Sequence, residues 1–289
     1  MPENQHERLP RAWITGAGGL IGSYLVRVTQ FPAGWRARPL LRSDVDLIDY
    51  QKVAALFRQE QPGAIIHCAA LSKSPDCQAN PRLARKLNVE VTRILCELAC
   101  DIPFIFFSSD LVFDGRAGKY DESSPVNPLS IYAETKVAAE QIVSSNPRHT
   151  VIRTSLNGGI SPAGDRGFNE QIRHAWQSGQ TLRLYTDEFR SPIHAEVTAR
   201  AAWELLAKNQ PGLYHIAGSE RLSRWQIGKL IAARWPQLNP KLIPTSLKEY
   251  VGAPRAPDTS LNCAKVQGLL SFQIAGVTDW LAAHPHEPF

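Results

Sequence analysis

The sequence is poor in the features of disulfide-linked, exported and membrane-spanning proteins. It has five cysteines in 289 residues, and their odd number, with no CxxC pair, argues against a closed disulfide framework. Cys96 and Cys100 lie four apart without a partnering histidine or cysteine, so we expect no metal site. No apolar run is long enough to cross a bilayer, and the N-terminal segment MPENQHERLPR lacks the apolar core of a signal peptide. We therefore expect a cytoplasmic protein with no membrane partner.

Charge of one sign is not concentrated anywhere in the sequence. The 32 basic and 27 acidic residues give a net charge of +5, but they are spread along the chain and do not form a basic stripe with interleaved aromatic residues. A nucleic-acid partner is therefore not expected. The small positive excess fits an acidic small ligand and fits ordinary surface charge equally well.

Segments of strand character alternate with segments of helical period, which is typical of βαβ units. This alternation predicts an α/β protein with a Rossmann-type, doubly wound parallel sheet in residues 11–155. After Ser155 the alternation weakens, and the segment LNGGISPAGDRG is flexible by composition. Residues 156–194 and 219–289 are predicted to form a smaller C-terminal substrate-binding lobe, and about 195–218 to rejoin the first domain.

A glycine-rich turn separates the first predicted strand from the first predicted helix. Its sequence, TGAGGLIG, places Gly16, Gly19 and Gly22 in a GxxGxxG pattern. Gly16 allows the tight turn, Gly19 lets the backbone approach a pyrophosphate, and Gly22 lets the helix pack close to the sheet. The helix N-terminus then offers N–H groups and a positive dipole end to phosphate, while no Lys-Ser/Thr pair follows as a nucleoside triphosphatase would require. The cofactor contacts predicted in this turn are Gly16, Gly18, Gly19, Leu20, Ile21 and Gly22.

The end of the second predicted strand is where a dinucleotide fold contacts the adenosine ribose, about 20 residues after the glycine turn. Arg42 and Ser43 stand there. An arginine suits a 2′-phosphate, whereas an acidic residue suits the free hydroxyl pair. Arg42 therefore favours NADP(H), while nearby Asp44 and Asp46 leave NAD(H) open. The alternative is that Arg42 is an ordinary solvated arginine without a cofactor contact.

Tyr132 and Lys136 lie four residues apart in the segment YAETK, at the start of a predicted helix, so their side chains share one helix face. A phenol has a pKa of about 10 in solution, and a neighbouring ammonium is expected to lower that pKa toward the working range. Tyr132 could then give its proton to a carbonyl oxygen as hydride reaches the carbon. A chance match to YxxxK is the alternative.

Two serines end the strand that precedes this helix. The segment PFIFFSSD places Ser108 and Ser109 before Asp110, at the carboxyl end of a strand, where such folds bind ligands. Ser109 is predicted to steady the carbonyl oxygen and to hold Tyr132 in place, with Ser108 as its rival. A purely structural hydroxyl is the other alternative.

In order and spacing, TGAGGLIG, IIHCAA, FSSDLVFDG and YAETK resemble the extended short-chain dehydrogenase/reductase superfamily. Within it the chain is most similar to the dTDP-4-dehydrorhamnose reductase family, on the further segments VIRTS, DEFRSPIHAEVTARA, GLYHIAG and APDTSLNCAKV. Two features depart from that family. Leu156, followed by Asn157–Gly159, stands where those reductases usually carry an aromatic residue, and the glycine loop is closer to the wider superfamily.

The resemblance implies an NAD(P)H-dependent reductase acting on a keto group of a nucleotide-linked deoxysugar. It implies that Ser109, Tyr132 and Lys136 form the catalytic set, and that Lys136 also holds the nicotinamide ribose. It further implies cofactor contacts from Asp46, Leu47, Ala69 and Ala70.

The resemblance also implies where a nucleotide-sugar substrate would bind. Arg190 and Arg255 fall in lobe segments that hold such substrates, and a guanidinium fork suits pyrophosphate. A surface salt bridge is the alternative for each arginine. Asp110, next to Ser109, is assigned to the substrate site as well.

Two rival functions remain open from the sequence. A sugar-nucleotide epimerase or dehydratase would regenerate its cofactor, although dehydratases generally have a glutamate close to the Ser/Thr position, where this chain has Asp110. A non-catalytic NADP-binding regulatory subunit, like the β subunit of methionine adenosyltransferase, would keep the fold, but the intact Ser109, Tyr132 and Lys136 set argues against it. The resemblance also leaves a homodimer open.

Overall fold

The computed structural model describes residues 9–28, 34–252, 254–287 and 289. The N-terminal segment before residue 9 and positions 29–30, at the end of the first predicted helix, lie outside the described residues. The strands are β1 (Arg11–Thr15), β2 (Arg36–Leu40), β3 (Ala64–His67), β4 (Phe104–Ser109), β5 (His149–Thr154), β6 (Asn157–Gly158), β7 (Thr181–Tyr185), β8 (Phe189–Arg190), β9 (Ile193–His194), β10 (Gly212–Ile216), β11 (Leu222–Ser223) and β12 (Lys241–Thr245).

In the described part of the chain, the main sheet has six strands in the order β2-β1-β3-β4-β5-β10, and every pairing in it is parallel. Because β1 lies between β2 and β3, the winding direction reverses there, and such a reversal opens a crevice at the carboxyl ends of the strands. The register places Thr15 opposite His67 and Ser109 opposite Thr154 at that edge. The predicted α/β fold with a doubly wound parallel sheet is confirmed.

Helices cover both faces of the sheet. The α-helices are α1 (Leu20–Arg27), α2 (Tyr50–Glu60), α3 (Ser74–Ala79), α4 (Pro81–Arg85), α5 (Val91–Leu98), α6 (Ile131–Ser144), α7 (Phe168–Gln177), α8 (Ala195–Ala207), α9 (Arg224–Arg234), α10 (Ala264–Gln267) and α11 (Val277–Ala283).

Alternate residues of β4 pack into the two layers on either side of the sheet. Ile105 and Phe107 join the layer that contains α1 and α8, whereas Phe104 and Phe106 join the layer that contains α5 and α6. Full burial of such side chains stabilises the fold by about 1.5–3 kcal/mol each. In the first layer, the Trp203 indole N–H donates to the Leu25 carbonyl at 2.8 Å and joins α8 to α1.

The helical region from α4 to α5 is not regular. The Asn80 side chain accepts from the Leu83 N–H at 3.0 Å and caps α4. A π-helical segment, Lys86–Glu90, then separates α4 from α5. A single π-helical turn inserts one residue into a helix and is frequent at functional sites.

The remaining strands form three two-stranded sheets, β6 with β9, β7 with β12 and β8 with β11. The loop before α7, predicted to be flexible, is instead tied around the fully buried carboxylate of Glu170. This carboxylate accepts from the Ser161 hydroxyl at 2.8 Å and from the Arg166 and Gly167 backbone N–H groups at 2.9 and 2.7 Å. Composition did not indicate this, because the acceptor lies outside the loop.

Two further properties hold for the part of the chain that the structure describes. Each helix there is too short or too polar to cross a bilayer. Its histidine, cysteine, aspartate and glutamate side chains form no group of three or more that could hold a metal ion.

Candidate active site

The glycine turn leaves no room for side chains at two of its positions. Gly16 has a φ of +68°, and a Cβ there would lie 2.7 Å from the Ala69 backbone nitrogen. A Cβ on Gly22 would overlap the Gly16 carbonyl oxygen. At Gly18, in contrast, the nearest heavy atom would be 3.8 Å away, in the side chain of Leu41. Gly16 and Gly22 are therefore required by the close packing of the turn, α1 and the loop after β3.

Helix α1 begins without a side-chain cap at its N-cap residue. Gly19 is its N-cap residue and forms no side-chain cap bond, and the Gly19 N–H donates to the Gly16 carbonyl at 2.8 Å. The N–H groups of Leu20 and Ile21 therefore begin a helix whose positive end fits a phosphate. This helix end is the place where the sequence analysis predicts the diphosphate of a dinucleotide.

The loop after β3 lies directly against the glycine turn. The Ala69 N–H donates to the Thr15 hydroxyl at 3.3 Å, and that hydroxyl lies 2.6 Å from His67 Nδ1. Ala69, with Ala70 following it, is thus at the sheet edge where a cofactor bound on the turn would pass. Burial lowers the pKa of His67 to about 3, so this imidazole is neutral and structural.

The residues predicted near adenine lie on the surface beyond β2. Arg42 pairs with Asp46 at 3.3 Å, and 86% of its side chain is exposed. Asp46 also accepts from the Ile48 N–H at 3.2 Å, and Leu47 packs at the margin of the second core layer. The structure therefore places Arg42 and Asp46 together, with the guanidinium open to solvent.

Tyr132 and Lys136 lie on the buried face of α6, which begins after Ser130. The Ser130 hydroxyl accepts from the Ala133 N–H at 3.3 Å and fixes the start of the helix. Tyr132 is 8% exposed and Lys136 is 4% exposed. The Lys136 ammonium donates to the Phe107 carbonyl at 2.7 Å and lies 6.0 Å from the centre of the Tyr132 ring. The two side chains thus share the β4 end of the sheet.

Ser109 joins this pair from the end of β4. Its hydroxyl accepts from the Leu111 N–H at 3.1 Å, and its single proton can be donated either to Asp110 Oδ1 at 3.2 Å or to the Tyr132 oxygen, where it favours the phenolate. Ser108, the rival in the sequence, has a buried hydroxyl without a hydrogen-bond partner among the described residues. The structure therefore brings Ser109, and not Ser108, to Tyr132.

Burial governs the proton affinities of the tyrosine and the lysine. It raises the pKa of Tyr132 above its ordinary value, and this effect outweighs the hydrogen bond from Ser109. Burial also lowers the pKa of Lys136 to about 8. The sequence-based expectation that the ammonium would bring the phenol pKa down is therefore wrong for the protein alone, because both groups lose their water.

Asn88 is a residue of this region that the sequence analysis missed. It lies in the π-helical segment, is 1% exposed, and donates to Thr135 Oγ1 at 3.0 Å, between Tyr132 and Lys136 on α6. Its carboxamide oxygen also accepts from the Leu71 N–H at 2.8 Å, in the loop after β3. Asn88 thus fixes α6 to the loop beside the glycine turn. An asparagine inside the apolar helical pattern KLNVEVTRIL is the signal that could have identified it.

Asp110 connects this edge of the sheet to segments of the predicted C-terminal lobe. Its Oδ2 atom accepts from Ser155 Oγ at 2.8 Å and from Thr259 Oγ1 at 2.9 Å. The same atom lies 3.7 Å from Arg190 Nε. Both oxygens of this buried carboxylate are therefore occupied by protein groups.

Arg190 and Arg255 meet at a carboxylate that the sequence analysis did not identify. Glu188 is fully buried; it contacts Arg190 Nη2 at 3.1 Å and accepts from Arg255 Nε and Arg224 Nε, each at 2.9 Å. We call Glu188, Arg190, Arg224 and Arg255 the arginine cluster. Arg190 is 3% exposed, so the surface salt bridge considered for it is wrong. No spacing rule connects these four residues, which explains why Glu188 and Arg224 were missed.

A protein-family profile described as RmlD substrate binding domain matches residues 11–284. A probable low-salt glycan biosynthesis reductase of Haloferax volcanii is 30% identical over 236 residues, which cover 76% of this chain and 78% of the relative. The methionine adenosyltransferase 2 subunit beta of Xenopus laevis is 28% identical over 273 residues, covering 89% of this chain and 81% of that protein.

The fold is also that of solved structures. The crystal structure of a dTDP-4-dehydrorhamnose reductase from Bacillus anthracis in complex with NADP superimposes with a TM-score of 0.85 and 23% sequence identity. The match covers 95% of this chain and 98% of that one. At this identity, the similarity establishes a common fold.

Proposed function

Because the chain belongs to the RmlD substrate binding domain family, we propose that it is an NAD(P)H-dependent reductase of a keto group on a nucleotide-linked deoxysugar. The observation that carries the proposal is the buried set of Tyr132, Ser109 and Lys136, which lies at the same edge of the sheet as the glycine turn. The Haloferax volcanii relative is a probable low-salt glycan biosynthesis reductase, and NADP is present in the Bacillus anthracis structure with the same fold.

The glycine turn is the proposed diphosphate site of a nicotinamide dinucleotide. Leu20 and Ile21 would offer backbone N–H groups, and Gly16 and Gly22 keep the turn free of side chains. A nicotinamide bound in this way would supply the hydride for the carbonyl carbon. Arg42, with its exposed guanidinium, would favour the 2′-phosphate of NADPH over NADH.

Tyr132 is the proposed proton donor. Its raised pKa keeps the phenol protonated at neutral pH, so it can donate to the carbonyl oxygen as negative charge develops there. Ser109 would hold that oxygen and Tyr132 in line. Lys136 would stabilise the phenolate that remains and would orient the ribose next to the nicotinamide.

The epimerase and dehydratase alternative is less well supported by the geometry. A dehydratase needs acid and base groups free to act on the sugar, but Asp110 is engaged by Ser109, Ser155, Thr259 and Arg190. The following residue is Leu111, so no second carboxylate stands beside it.

A non-catalytic role is the second candidate function, and the similarity to the methionine adenosyltransferase 2 subunit beta favours it. In that case the chain would bind a nicotinamide dinucleotide and a partner protein without turnover. The protonated, buried Tyr132 would then donate its proton to no substrate.

The test is to follow the absorbance of NADPH and of NADH with the purified protein and a panel of nucleotide-linked 4-keto sugars. We expect stoichiometric oxidation of NADPH with at least one of them. Dinucleotide binding without oxidation on any member of the panel would contradict the reductase and favour the binding role. Conversion of a sugar without net oxidation would favour an epimerase or dehydratase.

A further inference from the structure

Four buried polar side chains connect the glycine turn with the π-helical segment. Thr15 ends β1, and His67 ends β3 opposite it. Asn88 lies in the π-helical segment and Thr92 lies one turn later, in α5. The Thr15 hydroxyl is 2.6 Å from His67 Nδ1, and His67 Nε2 is 3.2 Å from the Thr92 hydroxyl. None of the four residues is more than 1% exposed, and we call them the His67 network.

The partners in this network leave one arrangement of its protons. The Thr92 hydroxyl has a single proton, which it donates to the Asn88 backbone carbonyl at 2.8 Å, so it can only accept from His67. The imidazole proton is therefore on Nε2, and Nδ1 accepts from the Thr15 hydroxyl. That hydroxyl in turn accepts from the Ala69 N–H at 3.3 Å. The imidazole is thus neutral and has one tautomer.

The surroundings of His67 also disfavour its charged form. Burial lowers the pKa of His67 to about 3, and the Lys136 ammonium acts in the same direction. The imidazole stacks on the Phe106 ring, with ring centres 5.9 Å apart, and Lys136 Nζ lies 4.5 Å from the centre of the same ring. A charged imidazolium would face a second cation, and its Nδ1–H would point at the Thr15 hydroxyl, which would then need another acceptor.

The two ends of this network reach the two parts of the candidate site. At one end it holds the Ala69 nitrogen, which lies 2.7 Å from where a Cβ on Gly16 would be, against the glycine turn. At the other end the Asn88 carboxamide donates to the Thr135 hydroxyl at 3.0 Å, which donates to the Tyr132 carbonyl at 2.7 Å. A continuous series of side-chain contacts therefore joins the predicted diphosphate turn to the first turn of α6.

Packing alone does not explain a histidine at this position. The imidazole lies beside the rings of Phe104 and Phe106, on the sheet face whose apolar layer contains Ile65. An apolar side chain would fill such a place without polar atoms to satisfy, because a buried polar group is costly unless it is hydrogen-bonded. A fully satisfied buried network instead favours one arrangement of the elements that it joins. The elements joined here are β1, β3 and the π-helical segment.

We propose that His67, as the Nε2–H tautomer, is a positioning residue that fixes the glycine turn relative to Tyr132. For its effect on turnover, the inference rests on the proposed reductase function. Hydride and proton would reach the two atoms of one carbonyl, so the nicotinamide and the phenol have to be held at a fixed separation. A misplacement of about 1 Å lowers the rate of such a reaction by about 10²-fold.

The first test is independent of turnover and needs no substitution. Nuclear magnetic resonance of the full-length protein with isotope-labelled histidine distinguishes a protonated ring nitrogen from an unprotonated one, and through-bond correlation to the backbone assigns the signals. We expect His67 to carry its proton on Nε2 and not to titrate between about pH 5 and pH 9. A proton on Nδ1, or a ring that titrates in this range, would contradict the single arrangement of the network.

The second test breaks the network with little change of shape. Thr92→Val removes the acceptor of the His67 proton and the donor to Asn88, and valine has nearly the outline of threonine. We expect kcat to fall about tenfold to a hundredfold, because Tyr132 is no longer held in place. The Kd of NADPH, measured by calorimetry, should stay nearly unchanged, because the contact of Thr15 with Ala69 remains. Thr92→Ser keeps the hydroxyl and should restore most of kcat.

Thr150→Val is the matched control. Thr150 is a buried threonine near the start of β5, at the opposite edge of the sheet, and its hydroxyl donates to the Gln210 carbonyl at 3.3 Å. We expect both valine variants to lower the melting temperature, measured by circular dichroism, and only Thr92→Val to lower kcat. If Thr92→Val does not fold, Thr135→Val breaks the same connection at its α6 end and takes its place.

The position of the phenol is followed directly in protein with isotope-labelled tyrosine, where Tyr132→Phe identifies the ring signal. We expect Thr92→Val to shift or broaden the Tyr132 signal, with and without NADPH, and Thr150→Val to leave it unchanged. This measurement does not depend on a substrate.

The outcomes separate the positioning role from the reductase function. Equal kcat in Thr92→Val and Thr150→Val would overturn the positioning role and leave the reductase intact. A wild type that oxidises no NADPH with any keto sugar would overturn the reductase. In that case a Tyr132 signal displaced by Thr92→Val would uphold the positioning role, and an unchanged signal would overturn it as well.

Discussion

The sheet edge that carries Tyr132 and Lys136 and the arginine cluster are assembled in opposite ways. Tyr132 and Lys136 are one helical turn apart, and the glycine turn spans a single strand–helix connection. Glu188, in contrast, gathers arginines from β8, from the start of α9 and from a loop near the C-terminal end. The first region is determined by local spacing and the second by tertiary folding. The predicted proton-transfer residues are therefore placed by local spacing, and the residues of the arginine cluster are not.

The largest effect on activity is expected from a substitution in the locally assembled region, at Tyr132. Tyr132→Phe should lower kcat by about 10²–10⁴, because the proton donor is lost, while the affinity for NADPH stays nearly unchanged. Stopped-flow measurement of NADPH oxidation and fluorescence titration of NADPH separate the two. Tyr50→Phe, which removes a hydroxyl bonded to Glu90 on another helix, is the control. Normal turnover in Tyr132→Phe would exclude Tyr132 from the mechanism.

Arg190 connects the two regions through Asp110 and Glu188, and its loss should lower the free energy of unfolding. Arg190→Met leaves Asp110 and Glu188 without their shared buried partner, and loss of one member of a buried ion pair costs about 3–5 kcal/mol. Urea denaturation measures the free energy of unfolding. Arg183→Met breaks an exposed pair and should cost less than about 1 kcal/mol. Equal free energies of unfolding for the two variants would show that the contacts of Arg190 with Asp110 and Glu188 do not stabilise the fold.

The glycine turn offers a matched pair of substitutions. Gly22→Ala should weaken dinucleotide binding about tenfold, because its Cβ would overlap the Gly16 carbonyl and displace α1 by an amount that costs about 1–3 kcal/mol. Gly18→Ala has open space and should bind almost normally. Calorimetric titration with NADPH compares them. Equal affinities would mean that the turn tolerates side chains.

The pH dependence of kcat should identify Lys136. Its pKa is lowered to about 8, so the ammonium loses its proton as the pH rises through 8 and no longer stabilises the phenolate. The raised pKa of Tyr132 keeps the phenol protonated over the same range. We expect kcat to be constant below pH 7 and to fall about tenfold for one pH unit above 8. A profile that stays flat to pH 9.5 would contradict this role of the ammonium.

The smallest effect is expected at the exposed adenine end. Arg42→Ala should raise KM for NADPH about 2- to 5-fold and leave KM for NADH unchanged, since an exposed ion pair contributes less than about 1 kcal/mol. Steady-state kinetics with both cofactors gives the ratio. An equal change for the two cofactors would show that Arg42 does not contact the 2′-phosphate.

The sequence predicted those parts whose cause is local. Alternating strand and helix patterns predicted the parallel sheet, and the spacing of Gly16 and Gly22 predicted a turn that the backbone geometry explains. The positions of Tyr132 and Lys136 on one face of α6 follow from helical periodicity alone. In these cases the structure is determined by interactions within a few consecutive residues, so it can be predicted before the fold is known.

What could not be predicted depends on burial and on distant partners. The pKa of Tyr132 moves upward because the fold removes water from it, and spacing from Lys136 gives no measure of that loss. Likewise, the segment around Gly159 has the composition of a flexible loop, but the carboxylate of Glu170, outside it, binds its backbone. A surface salt bridge was the alternative considered for Arg190, but this side chain is buried. Burial is possible because Glu188 and Asp110 compensate its charge.

The π-helical segment Lys86–Glu90 has a consequence for how this chain tolerates insertions and deletions. The wider π-helical turn takes up one extra residue, so α4 and α5 keep nearly the phase of one continuous helix on either side of it. Deleting one residue from Lys86–Glu90 is therefore expected to leave Leu95 facing the core, but to remove the turn that carries Asn88 to Thr135. Deleting a residue within α5 itself would instead rotate the rest of that helix by about 100°, because a regular α-helical turn cannot absorb a change of length.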